Sequence, residues 1–236
     1  MTCTIIHMDK ISLGSENLNN LLGGGVEAGI ITNFYGAAGT GKTNVSLQCA
    51  ISCIRKGLKA IYIDAEGGFS VERFIQMNDK FGLEKLILSE PKTFEEQDSI
   101  INNLERELKL EKEVGLIIVD SIVALYRLDL HKEKIPEVNR ILSRQFATLS
   151  KIARENKIPV IVTNQVYSDF DSGSLELVGR DIPKYFSKCL VFLEKIDTGR
   201  RKATLMKHRS RPEGLSAEFE IRNEGLFDTS KKFKLF

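Results

Sequence analysis

Gly36-Ala37-Ala38-Gly39-Thr40-Gly41-Lys42-Thr43 decides how this chain reads. A glycine, four residues, then Gly-Lys-Thr is a complete P-loop. The glycines let successive backbone N–H groups turn inward around phosphate oxygens, where a Cβ would obstruct. Lys42 brings a point charge to the β- and γ-phosphates, and the Thr43 hydroxyl suits a metal ion. The flanks agree with the motif. Ile30-Ile31-Thr32-Asn33-Phe34-Tyr35 reads as a strand and Thr43 to Arg55 as a helix. That helix presents its N-terminal partial charge to the same phosphates. Gly36, Ala37, Ala38, Gly39, Thr40, Gly41, Lys42, Thr43 and Asn44 are therefore the candidate binding residues for ATP with Mg²⁺.

Outward from this loop, strands and helices alternate. Lys59 to Asp64, Leu86 to Leu88, Gly115 to Asp120 and Val160 to Thr163 read as strands. Between them, Val71 to Phe81, Thr93 to Leu110 and Pro136 to Asn156 read as helices. The second helix carries Ile100, Leu104 and Leu108 on one stripe, and the third carries Ile141, Phe146, Leu149 and Ile152. Near-continuous apolar strands are buried on both faces, so the class is α/β with a mainly parallel central sheet. After Asn164 the long helices stop. Cys189 to Lys195, Lys202 to His208 and Ala217 to Ile221 predict an antiparallel C-terminal extension, with a hairpin turn at Asp197-Thr198-Gly199-Arg200. One domain over 1–236 is expected, with 1–22 as an N-terminal lead-in and 226–236 as a C-terminal tail.

Composition excludes several classes. With 42% hydrophobic residues among 236, one sizeable core is available. A net charge of +2 is too small to demand a polyanion by itself. Cys3, Cys49, Cys53 and Cys189 are scattered, and His7, His131 and His208 do not sit at metal-ligand spacing. The N-terminus lacks the apolar core of a signal peptide, and no run reaches membrane-spanning length. A reducing, cytoplasmic setting is the expectation.

In parallel sheets ligands sit at the carboxyl ends of strands. Asp120 closes an apolar strand and can hold the Mg²⁺ shell opposite Thr43. Asp64 and Glu66 both stand where a group orienting the attacking water is needed, and Glu66 is better placed because it lies past the strand end. Asn164-Gln165 ends the fifth strand, where an uncharged amide can sense the γ-phosphate. Lys195, Arg200, Arg201, Lys202, Lys207, Arg209 and Arg211 crowd one segment with only Asp197 against them. That segment reads equally as a solvated strand edge or as an anion-binding face.

Taken together, these residues resemble the RecA/RadA recombinase family, most closely its archaeal RadB subgroup. The specific pieces are Gly36 to Thr43, Tyr62-Ile63-Asp64-Ala65-Glu66-Gly67-Gly68-Phe69, Leu116-Ile117-Ile118-Val119-Asp120-Ser121, Ala124-Leu125-Tyr126-Arg127 and Val162-Thr163-Asn164-Gln165-Val166. The resemblance implies a RecA-like P-loop ATPase core. It gives Glu66 the catalytic glutamate position, Gln165 the γ-phosphate sensor, and Arg73 the arginine that packs on adenine. It also likens Lys207-His208-Arg209 to a Lys-x-Arg pair that reaches the ATP of a neighbouring subunit. DNA would meet two loops, Arg127 to Ile135 and Val166 to Ser187, through Arg127, Lys132, Lys134, Arg180 and Lys184. Tyr167 and Phe170 are candidates to stack on bases. Both loops are short for the family and carry mixed charge, which means weak phosphate attraction.

The family's upstream helical domain and its Phe-x-x-Ala polymerisation motif find no match, so the resemblance does not extend to long filaments. The implied function is an ATP-binding accessory protein of homologous recombination and DNA repair. It would be a weak DNA-dependent ATPase that performs no strand exchange itself. Its partners would be single-stranded or branched DNA and a RadA-like recombinase. The alternative is a nucleotide-switched, partner-binding module, KaiC-like or a recombinase mediator, with little direct DNA binding.

Overall fold

The computed structural model describes residues 10–131, 134–168 and 175–229. In chain order the elements are β1 (Lys10–Ile11), α1 (Glu16–Leu21), β2 (Val26–Glu27), β3 (Ile31–Tyr35), α2 (Lys42–Arg55), β4 (Lys59–Asp64) and α3 (Val71–Asn78). Next come β5 (Leu86–Ser89), α4 (Phe94–Leu110), β6 (Val114–Asp120), α5 (Ala124–Leu128), α6 (Ile135–Asn156) and β7 (Val160–Asn164). The chain continues with β8 (Val166–Ser168), β9 (Leu175–Leu177), α7 (Asp181–Phe186), β10 (Cys189–Lys195), β11 (Arg200–Lys207), β12 (Ser216–Arg222) and β13 (Gly225–Asp228).

Among the described residues nine strands form one sheet in the order β13-β12-β11-β10-β3-β7-β6-β4-β5. From β10 through β5 every pairing is parallel, and β10 through β13 pair antiparallel. Strands β3, β4, β6 and β7 are buried on both faces, as their apolar sequences predict, while β5 at the edge is only partly covered. Along β4, Ala60 and Tyr62 pack into the core on the α2 side while Ile61 and Ile63 pack under α4 and α6. The same alternation holds in β6, with Leu116 and Ile118 on one side and Ile117 and Val119 on the other. Strands β3, β4, β6 and β7 thus deliver their carboxyl ends to one edge, where the P-loop lies.

Several expectations need correction. The lead-in is folded, not merely leading in: β1 pairs with β2, and α1 inserts Leu18 and Leu21 into the core. Six residues are too few to display helical periodicity, so only the Ser15 cap marks the helix. The tail begins later than expected, because Gly225 to Asp228 pair with β12 and Leu226 is buried. Asp228 then accepts hydrogen bonds from Ser15 Oγ, Glu16 N (3.1 Å) and Asn17 N (2.9 Å), so the end of the sheet caps the first helix. On α4 the buried apolar residues are Phe94, Ile101 and Leu104, so of the expected stripe Leu104 is buried while Ile100 and Leu108 are only partly covered. Arg127 is helical, within α5, instead of opening a loop. The second candidate loop contains the β8–β9 hairpin and α7. Strand β11 starts at Arg200, the last residue of the expected hairpin turn, where Arg200 N donates to Asp197 O at 3.2 Å. Lys132, Phe170, Cys3 and His7 lie outside the described residues.

Cys49, Cys53 and Cys189 are buried and unbridged. Burial pushes the Cys53 and Cys189 thiols up to about 12, so both are packing residues rather than reactive ones.

Candidate functional site

The P-loop is shaped by what surrounds it. A Cβ on Gly36 would meet Leu193 O of β10 at 2.3 Å, so only glycine fits there. Gly41 has φ +97° and would push a Cβ to 2.6 Å from Ile221 Cδ1 of β12. The C-terminal strands therefore brace the loop from the side, a contact that local motif reading does not reveal. Thr40 Oγ1 donates to Ala37 O at 2.8 Å and closes the turn.

Lys42 opens α2 and is only 8% exposed. Its ammonium donates to Gly36 O (3.1 Å) and Ala37 O (2.9 Å), and among the described residues it has no salt-bridge partner. Burial lowers its pKa, while Glu66 and Asp120 oppose that shift from a distance. A buried cation satisfied only by carbonyls, inside a ring of glycines at a helix N-terminus, is a site built for an anion. The residues present thus fit a nucleoside triphosphate.

Metal binding is more economical. Among the described residues no group of three or more His, Cys, Asp or Glu could enclose a cation. Asp120 is buried and already used on both oxygens, accepting from the Tyr62 hydroxyl at 2.7 Å and from Thr163 Oγ1. Such a carboxylate would suit Mg²⁺ held through water, beside the Thr43 hydroxyl, since Mg²⁺ keeps much of its water shell.

The turn after β4 separates the two candidate carboxylates. Asp64 is buried, and its Oδ1 accepts from the backbone N–H of Glu66 (3.2 Å), Gly67 (2.9 Å) and Gly68 (3.1 Å). Its Oδ2 accepts from Phe69 N at 2.8 Å. Asp64 is thus the anchor of the turn. Glu66 is the carboxylate the anchored turn projects. A Cβ on Gly68 would lie 3.6 Å from Thr43 Oγ1, so the turn passes over the P-loop threonine. Partial burial first, and the charge of Asp120 second, raise the pKa of Glu66; Lys42 and a Gln165 hydrogen bond pull the other way.

Gln165 follows β7, whose end meets the P-loop: Gly36 N donates to Asn164 O at 3.3 Å. Gln165 Nε2 donates to Glu66 Oε1 at 2.7 Å. Its Oε1 accepts from Arg127 Nη1. Asn164 points away, with Nδ2 on Val178 O at 3.1 Å. The structure thus brings Lys42, Thr43, Glu66, Asp120 and Gln165 together.

Arg73 of α3 also reaches this edge. Its Nε donates to Asn44 Oδ1 (2.8 Å), Nη1 to Gln76 Oε1 (3.2 Å) and Asn223 O (2.9 Å), and Nη2 to Arg222 O (2.8 Å). Those bonds use the guanidinium edges and hold its plane, leaving the flat face as the surface on which a base can stack.

The basic segment divides. Arg200 pairs with Glu218 at 2.5 Å, Lys207 Nζ donates to Lys184 O at 2.6 Å, and Arg209 grips Glu27, with Nε on Oε2 at 2.9 Å. It is therefore not one anion-binding face. Because β11 runs against β10, Lys207 pairs with Leu190 near the start of β10, and Arg209 lies further from the P-loop, beside Gly29 and Ile30. Neither belongs to the chain's own nucleotide cluster. Arg201 does: its Cγ is 3.9 Å from where a Gly41 Cβ would stand, and Nη1 is held by Asp197 O (3.2 Å) and Arg200 O (2.9 Å). Burial lowers its pKa. Sequence reasoning counted Arg201 with its neighbours; only the strand pairing, which turns it with Phe219 toward α2, distinguishes it.

Of the candidate DNA residues, Arg127 and Arg180 line a cavity of about 670 Å³ with Tyr126 and Tyr167. Arg180 Nε donates to Tyr167 Oη at 3.2 Å. Lys184 is paired with Glu176 at 2.6 Å, and Lys134 immediately precedes α6.

Comparison with known proteins agrees with this fold. The Rad51 family profile matches residues 5–229. The chain is 46% identical over 222 residues to a DNA repair and recombination protein RadB of Methanococcoides burtonii, covering 92% of this chain and 97% of that one. It is 39% identical over 227 residues to a RadB protein of Thermococcus sibiricus, covering 94% and 96%. A solved RadB recombinase structure superposes with a TM-score of 0.80 at 37% identity, covering 93% of this chain and all of that one. The sheet and its antiparallel extension are thus a RecA-like recombinase fold. No helix among the described residues is long and apolar enough to cross a membrane.

Proposed function

The chain belongs to the Rad51 family of DNA repair and recombination proteins, alongside its RadB members, and on that premise we propose that it is an ATP-binding, DNA-associated accessory protein of homologous recombination. It binds ATP with Mg²⁺, hydrolyses it slowly and faster on DNA, and assists a RadA-like recombinase without exchanging strands itself. Its setting is cytoplasmic.

The observation carrying this reading is the meeting of Glu66 and Gln165, 2.7 Å apart, beside the P-loop and its carboxylate-free Lys42. In the proposed reaction the P-loop N–H groups and Lys42 bind and orient the phosphates. Arg73 supports the base. Thr43 and Asp120 would hold Mg²⁺, which would supply electrostatic stabilisation of the transferring phosphoryl group. Glu66 orients the attacking water and takes its proton, a role that a raised carboxylate pKa favours. Gln165 donates toward the γ-phosphate. Lys207 and Arg209 stabilise transition-state charge only on a neighbouring copy's nucleotide, since they lie away from this chain's own loop.

DNA contact is proposed through Arg127, Lys132, Lys134, Arg180 and Lys184. The Lys184–Glu176 pair, at 2.6 Å, favours the second reading, a nucleotide-switched module whose main partner is a protein. A mobility-shift titration on single-stranded DNA across a salt series separates the two. Binding that weakens with salt supports DNA association. No binding at low salt, with and without ATP, leaves the protein-partner reading. Hydrolysis is tested by phosphate release with and without DNA.

A further inference from the structure

Arg127 sits in α5, on the far side of Gln165 from Glu66, and is exposed. Its Nη1 donates to Gln165 Oε1, and Gln165 Nε2 donates to Glu66 Oε1 at 2.7 Å, making an unbroken chain across the cleft. We propose that Arg127 is a positioning residue for the ATPase site, acting through Gln165 on Glu66, in addition to any contact with DNA. This rests on the reading of Glu66 as the group that orients water.

The argument is one of hydrogen-bond polarity. A guanidinium only donates and an ionised carboxylate only accepts. Gln165 lies between one of each, so its amide has a single satisfactory orientation: oxygen toward Arg127, NH₂ toward Glu66. A phosphate oxygen also only accepts. When a γ-phosphate replaces or joins Glu66 as the acceptor, the amide already presents its donor end. Without Arg127 the oxygen has no fixed partner, and the amide samples orientations that turn a lone pair toward carboxylate or phosphate. Arg127 also lines, with Ala124, Leu128 and Gln165, a small cavity of about 250 Å³, so the amide has room to move when released. The side chain is exposed and outside the core, so its removal perturbs orientation rather than folding.

The test reads Gln165 directly. In the ¹⁵N–¹H spectrum of the full chain its side-chain NH₂ pair is the one lost in Gln165→Glu. That pair should move with pH as Glu66 titrates, and should stop doing so in Glu66→Gln. In Arg127→Ala it should shift toward free-amide positions, with the Glu66 titration midpoint displaced upward as the hydrogen bond to the carboxylate weakens; Arg127→Lys should restore part of the shift. In ATP hydrolysis, Arg127→Ala should lower kcat about 3- to 10-fold, the worth of one orienting hydrogen bond, and should add less than about 2-fold in a Gln165→Ala background. An NH₂ pair unmoved by Arg127→Ala would overturn the proposal. So would an equal loss of kcat with and without Gln165, because Arg127 would then act independently. If the unmodified chain hydrolyses no ATP, the reading of Glu66 fails while the amide spectrum still decides the Arg127–Gln165 link.

Discussion

Replacing Lys42 with alanine tests the P-loop against the folded structure. Lys42 is 8% exposed, and among the described residues its ammonium donates only to Gly36 O and Ala37 O, at 3.1 and 2.9 Å. Two opposing terms act on stability. The variant loses two hydrogen bonds, each worth about 1 kcal/mol net. It also relieves the cost of burying a cation that lacks a carboxylate partner, which is of similar size or larger. Fold stability should therefore change by no more than about 1 kcal/mol. Affinity behaves differently, because the bound state replaces carbonyl oxygens with charged phosphate oxygens. A hydrogen bond to a charged group is worth about 1.5–3 kcal/mol, or roughly a 10- to 150-fold change in Kd. Titration calorimetry with ATP and Mg²⁺ should show a loss in that range. AMP, which has neither a β- nor a γ-phosphate, should bind both proteins alike. A thermal melt run in parallel guards against unfolding. ATP affinity within about 2-fold of the unmodified chain would refute the assigned role. So would an AMP loss matching the ATP loss, since the lysine would then act on the fold of the loop.

Other substitutions probe separate links. Glu66→Gln should leave ATP affinity nearly unchanged while turnover falls about 100-fold, measured by phosphate release. Because burial and Asp120 raise the Glu66 pKa, its carboxylate protonates at a higher pH than an ordinary one, so hydrolysis should fall on the acid side above the usual range near pH 4.3. A pH–rate profile with its acid limb below that range would contradict this. Asp64→Ala strands four backbone N–H groups and should reduce turnover with a stability loss of about 2–4 kcal/mol by urea unfolding; full turnover would show that the turn does not need its anchor. Asp228→Ala removes the acceptor shared by Ser15, Glu16 and Asn17 and should cost about 1–2 kcal/mol with no change in ATP affinity.

How legible this molecule is from its sequence varies with the kind of information. The parallel core was readable because each strand is a nearly unbroken apolar run, and its two buried faces need no other signal. The P-loop, Asp120 and the Glu66 turn stand out in the sequence because phosphate chemistry restricts residue types at short spacing, and the fold brings them to one edge of the sheet. Glu66 is preferred to Asp64 in the sequence because it lies past the strand end, but the anchoring role of Asp64 is not legible there; a carboxylate that accepts four backbone bonds looks the same in sequence as one that faces solvent. α1 and β13 were missed because they are short and depend on each other, with Asp228 capping a helix more than two hundred residues earlier. The basic segment stays open between its two readings for a related reason. In a strand, neighbours in sequence face opposite sides, so Arg200 pairs with Glu218 while Arg201 packs beside Gly41. The Arg127–Gln165–Glu66 chain joins helix α5 to the segments that follow β7 and β4, and nothing local in the sequence announces it.

The most direct test of the central claim is ATP turnover by the full chain with Mg²⁺, measured with and without single-stranded DNA, beside the Glu66→Gln variant. The account predicts slow turnover alone, faster turnover with DNA, and loss of both in the variant while ATP still binds. Turnover that is unaffected by Glu66→Gln, or absent under every condition, would contradict it.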